Sequence, residues 1–151
     1  MTFEQDTRPD FAEQGLRITF DDVVTMVEAT TDDAWQTDVV RSQDGSRNCF
    51  FGHLFAYAEK RAAEAGVTVT QVPEGLTSAE VVANRVWDWF EDEYATTYAV
   101  YPINDGRNLA YSQPTPRARV LAYLNALRDG TELTTPQQMQ QDFDLHPKEM
   151  P

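Results

Sequence analysis

The eleven residues Asn48-Cys49-Phe50-Phe51-Gly52-His53-Leu54-Phe55-Ala56-Tyr57-Ala58 hold the only cysteine of the chain, one of its two histidines and its densest apolar cluster. At about 100° per residue, Phe51, Leu54, Phe55, Ala58, Ala62 and Ala65 fall on one broad stripe. Gly66 follows as a helix-ending glycine would. The spacing therefore predicts a helix over 49–65 whose phenylalanine side builds the core. Cys49, His53, Tyr57, Lys60 and Glu64 fall on the opposite side, one turn apart, facing solvent or another element laid over that face.

A thiol in the first turn of a helix lies among N–H groups that have no intrahelical acceptor, and these lower its pKa. His53, one turn on, can support a thiolate or share a proton with it. Hydrolases of the papain kind place their cysteine at a helix start, so Cys49 and His53 are candidate catalytic residues of a thiol hydrolase or transferase. The plainer reading is favoured. A lone cysteine is ordinarily a small buried filler, and a Cys–His pair at helical spacing arises easily by chance. A Cys–His enzyme also takes its histidine from a separate element, and the second histidine, His146, falls in a tail expected to fray.

One domain is expected from 151 residues, and 41% hydrophobic with 11% aromatic content excludes wholesale disorder. No apolar run approaches the ~20 residues of a membrane span. The polar, acidic N-terminus has neither the basic nor the apolar region of a secretion signal, and a single cysteine fits a reducing compartment. A cytoplasmic protein of a bacterial host is the expectation. The net charge is −13, with eleven acids against four bases in 1–48, eight against three in 49–104 and six against five in 105–151. Such a surface repels nucleic acid and anionic lipid, so neither direct nucleic-acid binding nor a membrane partner is expected. It attracts basic proteins and, in the limit, imitates nucleic acid, although acidity also serves solubility alone. Ten of the twelve bases are arginine, a skew associated with GC-rich genomes.

Along the chain, residues 1–15 read as a flexible arm, 16–143 as a single globular domain and 144–151 as a frayed tail. Thr19 with Asp22 caps a helix over about 20–29, in which Phe20, Val23, Val24 and Val27 recur at helical spacing. Residues 35–41 suggest a short strand, and Val67-Thr68-Val69-Thr70-Gln71-Val72 alternates strictly as a strand would. Thr77 and Glu80 form a capping box ahead of a helix over 78–95, with Val82, Val86, Trp89 and Phe90 inward. Asp88, Glu91, Asp92 and Glu93 are its solvated side. Phe90, Tyr94, Tyr98 and Tyr101 keep helical spacing, and such an aromatic row is either core or a binding strip. Residues 102–108 read as a polar turn. Thr115 and Pro116 open a helix over 116–129 that buries Val120, Leu121, Leu124 and Leu127 and stops at Gly130. A further short helix is expected after Pro136.

Phosphate-loop, dinucleotide and elbow-serine motifs are absent, and one cysteine with two histidines makes no zinc set. Asp44-Gly45-Ser46-Arg47-Asn48 lacks the ligand pattern of a calcium loop. No cofactor or metal is expected.

The helix start Cys49-Phe50-Phe51-Gly52-His53-Leu54, followed by Ile103-Asn104-Asp105 and then Val120-Leu121-Ala122-Tyr123-Leu124, resembles a pairing found in an uncharacterised family of small actinobacterial and actinobacteriophage proteins. Here His53 stands where a small residue is usual, and Ile103 where an aromatic often precedes Asn-Asp. The resemblance implies a soluble protein of a GC-rich host or its phage and carries no activity. It also implies that Cys49, Gly52, Asn104 and Asp105 meet. Asn104 or Asp105 would then bond the free N–H groups of the 49–65 helix, and an enzyme would use them beside Cys49 and His53. Together these readings give a mainly helical α+β fold of three to five helices with at most a small sheet from 35–41 and 67–72. The function expected is that of a non-enzymatic accessory or inhibitory protein. It would bind a basic protein partner through Asp88, Glu91, Asp92, Glu93, Tyr98 and Tyr101. A thiol enzyme and a structural or assembly protein are the alternatives.

Overall fold

A computed structural model describes residues 9–37, 40–95 and 97–131, with 9, 10, 97 and 98 described by backbone alone. The elements are α1 (Pro9–Ala12), α2 (Phe20–Ala29), a 3₁₀ turn (Asp32–Ala34), α3 (Phe50–Ala65), α4 (Ser78–Glu93), α5 (Thr97–Asn104) and α6 (Pro116–Asp129). The expected helix after Pro136, the tail 144–151 and residues 1–8 of the expected arm lie outside the described residues.

Three of the four long helices start on their own caps. The Asp22 N–H donates to Thr19 Oγ1 at 3.2 Å while the Thr19 N–H donates to Asp22 Oδ2 at 2.8 Å. Thr77 and Glu80 exchange the same pair of bonds, each 3.1 Å. At α6 the Ala118 N–H donates to Thr115 Oγ1 at 3.2 Å, with Pro116 at the first helical position. The exception is α3, whose cap residue Cys49 makes no side-chain cap bond. Its first N–H groups must find acceptors elsewhere, because buried donors are not left empty. Gly66 and Gly130 end α3 and α6 at φ of +67° and +71°.

The core forms where α3 lies against α4, the most extensive helix pairing in the structure. Phe90 is its hub, with ring centroids 5.1 Å from Phe50, 5.4 Å from Tyr94 and 6.1 Å from each of Phe20 and Phe51. Beside it Phe51 and Trp87 stack at 4.8 Å. One continuous apolar cluster joins these rings to α2, α5 and α6. On α6 the buried face is Val120, Tyr123, Leu124 and Leu127, with Arg119 among them and Leu121 only half-buried.

The small sheet is not found. Among the described residues, β pairing amounts to two isolated bridges, Trp35 with Asn48 and Arg41 with Asn48. Burial alternates only over 67–70, with Val67 buried, Val69 half-buried and Thr68 and Thr70 exposed; the chain bends at Thr70, and Gln71 and Val72 are both exposed. Side chains take the place of a neighbouring strand. The Gln14 amide accepts from the Thr68 N–H at 2.9 Å and donates to the Thr68 carbonyl at 3.1 Å, and the Val69 N–H donates to Ser78 Oγ at 3.2 Å. Alternation sets which face is buried; a ladder also needs a second extended segment alongside.

Two further expectations change. Within the described part of the expected N-terminal arm Phe11 is 3% exposed and its carbonyl accepts from the Gln14 and Leu16 N–H groups, while Glu13, Gln14 and Gly15 are exposed. The aromatic row is not one helix. It breaks at Tyr94, whose ψ is −62° at a φ of −127°. The chain then re-forms as α5, which runs through Pro102 to Asn104 where a polar turn was expected. Ile103 and Asn104 are buried, and the turn begins only at Asp105–Gly106, with Gly106 at φ +78°.

Candidate functional site

The uncapped start of α3 gathers the residues that the sequence singled out. The Phe50 N–H donates to Asn104 Oδ1 at 3.1 Å, so the end of α5 caps α3 from across the fold. The Asn104 Nδ2 donates to the Gln36 carbonyl and to Asp105 Oδ1, each at 3.0 Å. Arg119 of α6 then closes the far side. Its Nε donates to the Ile103 carbonyl at 3.0 Å, Nη2 to the Asn104 carbonyl at 2.9 Å and Nη1 to the Gln113 carbonyl at 2.9 Å. A buried guanidinium is costly unless its donors are used, and the last carbonyls of α5 are where a helix favours positive charge. Burial pulls the Arg119 pKa down and the neighbouring Asp105 pulls it back up.

Gly52 completes the junction. A Cβ there would stand 2.4 Å from the Val40 carbonyl oxygen and 2.8 Å from Asn48 Oδ1. Only a glycine lets the 40–48 loop lie against the first turn of α3, and the Cys49 N–H donates to that same Val40 carbonyl at 2.9 Å.

Cys49 and His53 are not brought together as a catalytic pair. Cys49 is 2% exposed, packed in the core. Burial pushes its thiol pKa up, outweighing the nearby N–H groups of Gly52 and Phe51 that pull it down. His53 turns instead to the 3₁₀ turn, with Nε2 2.9 Å from the Ala34 carbonyl, so that nitrogen carries the proton. Its ring lies against Trp35 at 4.4 Å between centroids, and burial lowers its pKa. Both groups are held neutral, the reverse of a thiolate–imidazolium pair. Desolvation outweighs the helix start: Trp35 and the Ala34 carbonyl cover His53, and Cys49 is buried in the core.

The partner-binding residues divide. Asp88, Asp92 and Glu93 are exposed on α4 and have no cationic partner among the described residues. Glu91 is half-exposed on the same turn. Tyr101 is instead 6% exposed and belongs to the core, its phenol pKa pushed up by burial first and then by Cys49, Asp105 and Glu91. The side chain of Tyr98 lies outside the described residues. Tyr94 takes the place at the surface that Tyr101 does not. It is half-buried, and its phenol is held protonated by burial and by Glu93 and Asp21. At the start of α2, Asp21 is paired with Arg128 at 3.0 Å, so the acidic surface stops at the end of α4.

The sequence reading passed over Arg117 and Arg119. Arg117 donates from Nε and Nη2 to the Val27 and Glu28 carbonyls, at 3.3 and 2.8 Å, capping α2 from α6. Nothing in the local pattern marks them, since both fall in a helix whose apolar stripe is set by its neighbours. Among the described residues no three His, Cys, Asp or Glu side chains converge as a metal site, and no helix is long and apolar enough to cross a membrane. Comparison with protein-family models, with curated proteins and with solved structures returns no match.

Proposed function

We propose that this is a non-enzymatic binding protein, an accessory or inhibitory factor working in the cytoplasm of a bacterium or encoded by its phage, that docks a basic protein partner on the acidic end of α4. The observation that carries the reading is local. The last turn of α4 holds Glu91, Asp92 and Glu93 and no base. Carboxylates at a helix C-terminus oppose the helix dipole, each typically costing about 0.3–1 kcal/mol. The ends of α2 and α5 receive Arg117 and Arg119 from α6, and α6 carries Arg128 in its own last turn. Asp88, Asp92 and Glu93, exposed along a helix whose last turn carries no base, are the pattern expected where a partner supplies the cation.

The test is titration of the protein with a fluorescent nona-arginine peptide against two equally neutralised variants. One carries Asp88→Asn, Asp92→Asn and Glu93→Gln; the other carries Glu59→Gln, Glu64→Gln and Glu74→Gln. The first is expected to weaken binding about ten-fold and to melt at a higher temperature. The second is expected to weaken binding only slightly. Equal loss in both would reduce the effect to net charge and remove the site.

A further inference from the structure

Three of the seven glycines directly follow an aspartate, at Asp44-Gly45, Asp105-Gly106 and Asp129-Gly130. Such a step carries chemistry of its own. The glycine nitrogen attacks the side-chain carboxyl carbon of the aspartate, an N–C bond forms, and the carboxyl hydroxyl leaves with the amide proton as water. Water then opens the resulting cyclic imide at either carbonyl. One opening returns aspartate; the other gives isoaspartate, whose main chain runs through the side-chain carbons. Closure needs a glycine N–H that is free to turn and a carboxyl that is protonated, since a carboxylate is a poor electrophile. Glycine, with no Cβ, hinders the closure least.

The fold engages all three glycine N–H groups. Each donates to the carbonyl three residues back, Gly45 to Ser42 at 2.9 Å, Gly106 to Ile103 at 3.3 Å and Gly130 to Leu127 at 3.3 Å. At Asp44 the carboxylate is held as well. Its Oδ1 accepts from the Ser46 N–H at 3.0 Å, from Ser46 Oγ at 2.7 Å and from Ser42 Oγ at 2.8 Å. Donors aimed at a carboxylate favour its ionised form. Ser46 first, then Ser42 and the charge of Arg47, hold this carboxyl well below the usual carboxylate range although the residue is exposed. The Arg41 guanidinium closes over Gly45, 3.2 Å from where a Cβ would stand. The base of the turn is braced by the Ser42 N–H donating to the Arg47 carbonyl at 2.7 Å and the Arg47 N–H donating to Ser42 Oγ at 2.9 Å.

We propose that Asp44-Gly45 is a latent isomerisation site, kept as aspartate in the folded protein by Ser42 and Ser46 and converted to isoaspartate when their hold is lost. The consequence reaches the start of α3. Isoaspartate lengthens the main chain by one carbon inside the 40–48 loop, whose Val40 carbonyl accepts from the Cys49 N–H at 2.9 Å and lies where Gly52 leaves no room for a side chain. Isomerised chains should therefore unfold at lower urea than unmodified ones. The site is separate from the acidic end of α4 and does not depend on a partner.

Peptide mapping by mass spectrometry, which separates isoaspartyl from aspartyl peptides, reads all three steps in one sample during incubation at neutral pH. Isoaspartate at 44 is expected to accumulate faster in urea than in the native wild type. Ser42→Ala combined with Ser46→Ala should raise the native rate at 44 about ten-fold, the factor that one pKa unit makes in the protonated fraction. The steps at 105 and 129 should keep their wild-type rates in that variant, which separates release of the turn from general loosening of the fold. Asp44→Glu, whose longer side chain does not close the same ring, should remove the signal at 44. Native wild type isomerising at 44 as fast as in urea, no gain in the serine variant, or an equal rise at all three steps would overturn the proposal.

Discussion

Replacing Asn104 probes the junction on which α3 depends. Asn104 is 1% exposed; its Oδ1 takes the Phe50 N–H and its Nδ2 serves the Gln36 carbonyl. Asn104→Ala orphans one fully buried donor and one half-buried acceptor. An unsatisfied buried group costs about 1–3 kcal/mol, so the expected loss is about 3 kcal/mol, the second group being discounted for its exposure. Against a typical domain stability of about 5–15 kcal/mol that is a large shift in the urea midpoint, read by fluorescence of Trp35, Trp87 and Trp89. Asn104→Asp separates the acceptor from the donor. The carboxylate keeps the Phe50 bond at the positive end of α3, but it now faces the Gln36 carbonyl and the Asp105 carboxylate without a proton to give. Those neighbours raise the pKa of the new carboxyl above its unfolded value. Between the two pKa values the folded state then binds more protons, and stability rises as pH falls. Asn104→Asp should therefore be weaker at pH 7 than at pH 5, relative to wild type, while the Asn104→Ala deficit should hardly change with pH. A loss below about 0.5 kcal/mol for Asn104→Ala would refute the capping argument.

Gly52→Ala should destabilise by about 2 kcal/mol or more in the same urea assay, although alanine is the better helix former by about 1 kcal/mol, because the new methyl meets the Val40 carbonyl oxygen; a neutral result would mean that the 40–48 loop yields freely. His53 is held below its ordinary pKa of 6.5 by burial, so the unfolded chain gains a proton first as pH falls, and the stability tied to the neutral ring is lost below about that pH. His53→Gln should flatten the fall in stability between about pH 6.5 and pH 5, and an unchanged slope would contradict the buried neutral ring. Cys49 should resist alkylation in the native protein and label rapidly only in urea, whereas fast native labelling with a pKa below about 8.5 would reopen thiol chemistry.

What was legible in the sequence was local chemistry. Thr19, Thr77 and Thr115 marked helix starts because each carries its acceptor within three residues of its target, and Gly66 and Gly130 marked ends for a similarly local reason. The meeting of Asn104 with the start of α3 came from pattern resemblance, and the structure gives its cause: α3 lacks a capping side chain of its own. The rest depended on what lies alongside. Residues 67–72 have a strand's alternation but find Gln14 and Ser78 instead of a partner strand. Cys49 sits at a helix start, as in thiol enzymes, yet it is buried in the core. Residues 102–104 have the composition of a turn but become the last part of a helix, its final carbonyls taken by Arg119 of the next helix, a pairing that no periodic pattern marks.

The same contrast bears on where the protein meets others. Net charge counts every arginine as surface charge, but several do interior work. Arg117, Arg119 and Arg61 direct guanidinium N–H groups at backbone carbonyls, Arg61 reaching Arg17 at 2.9 Å. A cation spent on carbonyls offsets less of the carboxylate field outside, and Arg119 is buried altogether. Among the described residues the exposed surface is thus more acidic in effect than the residue count states, with Asp88, Asp92 and Glu93 exposed on α4. Solubility alone requires charge but not its concentration at a helix C-terminus, where it costs stability. A docking surface requires that concentration, because the dipole and the side chains add their fields at the same point and a basic partner is drawn to that point before contact.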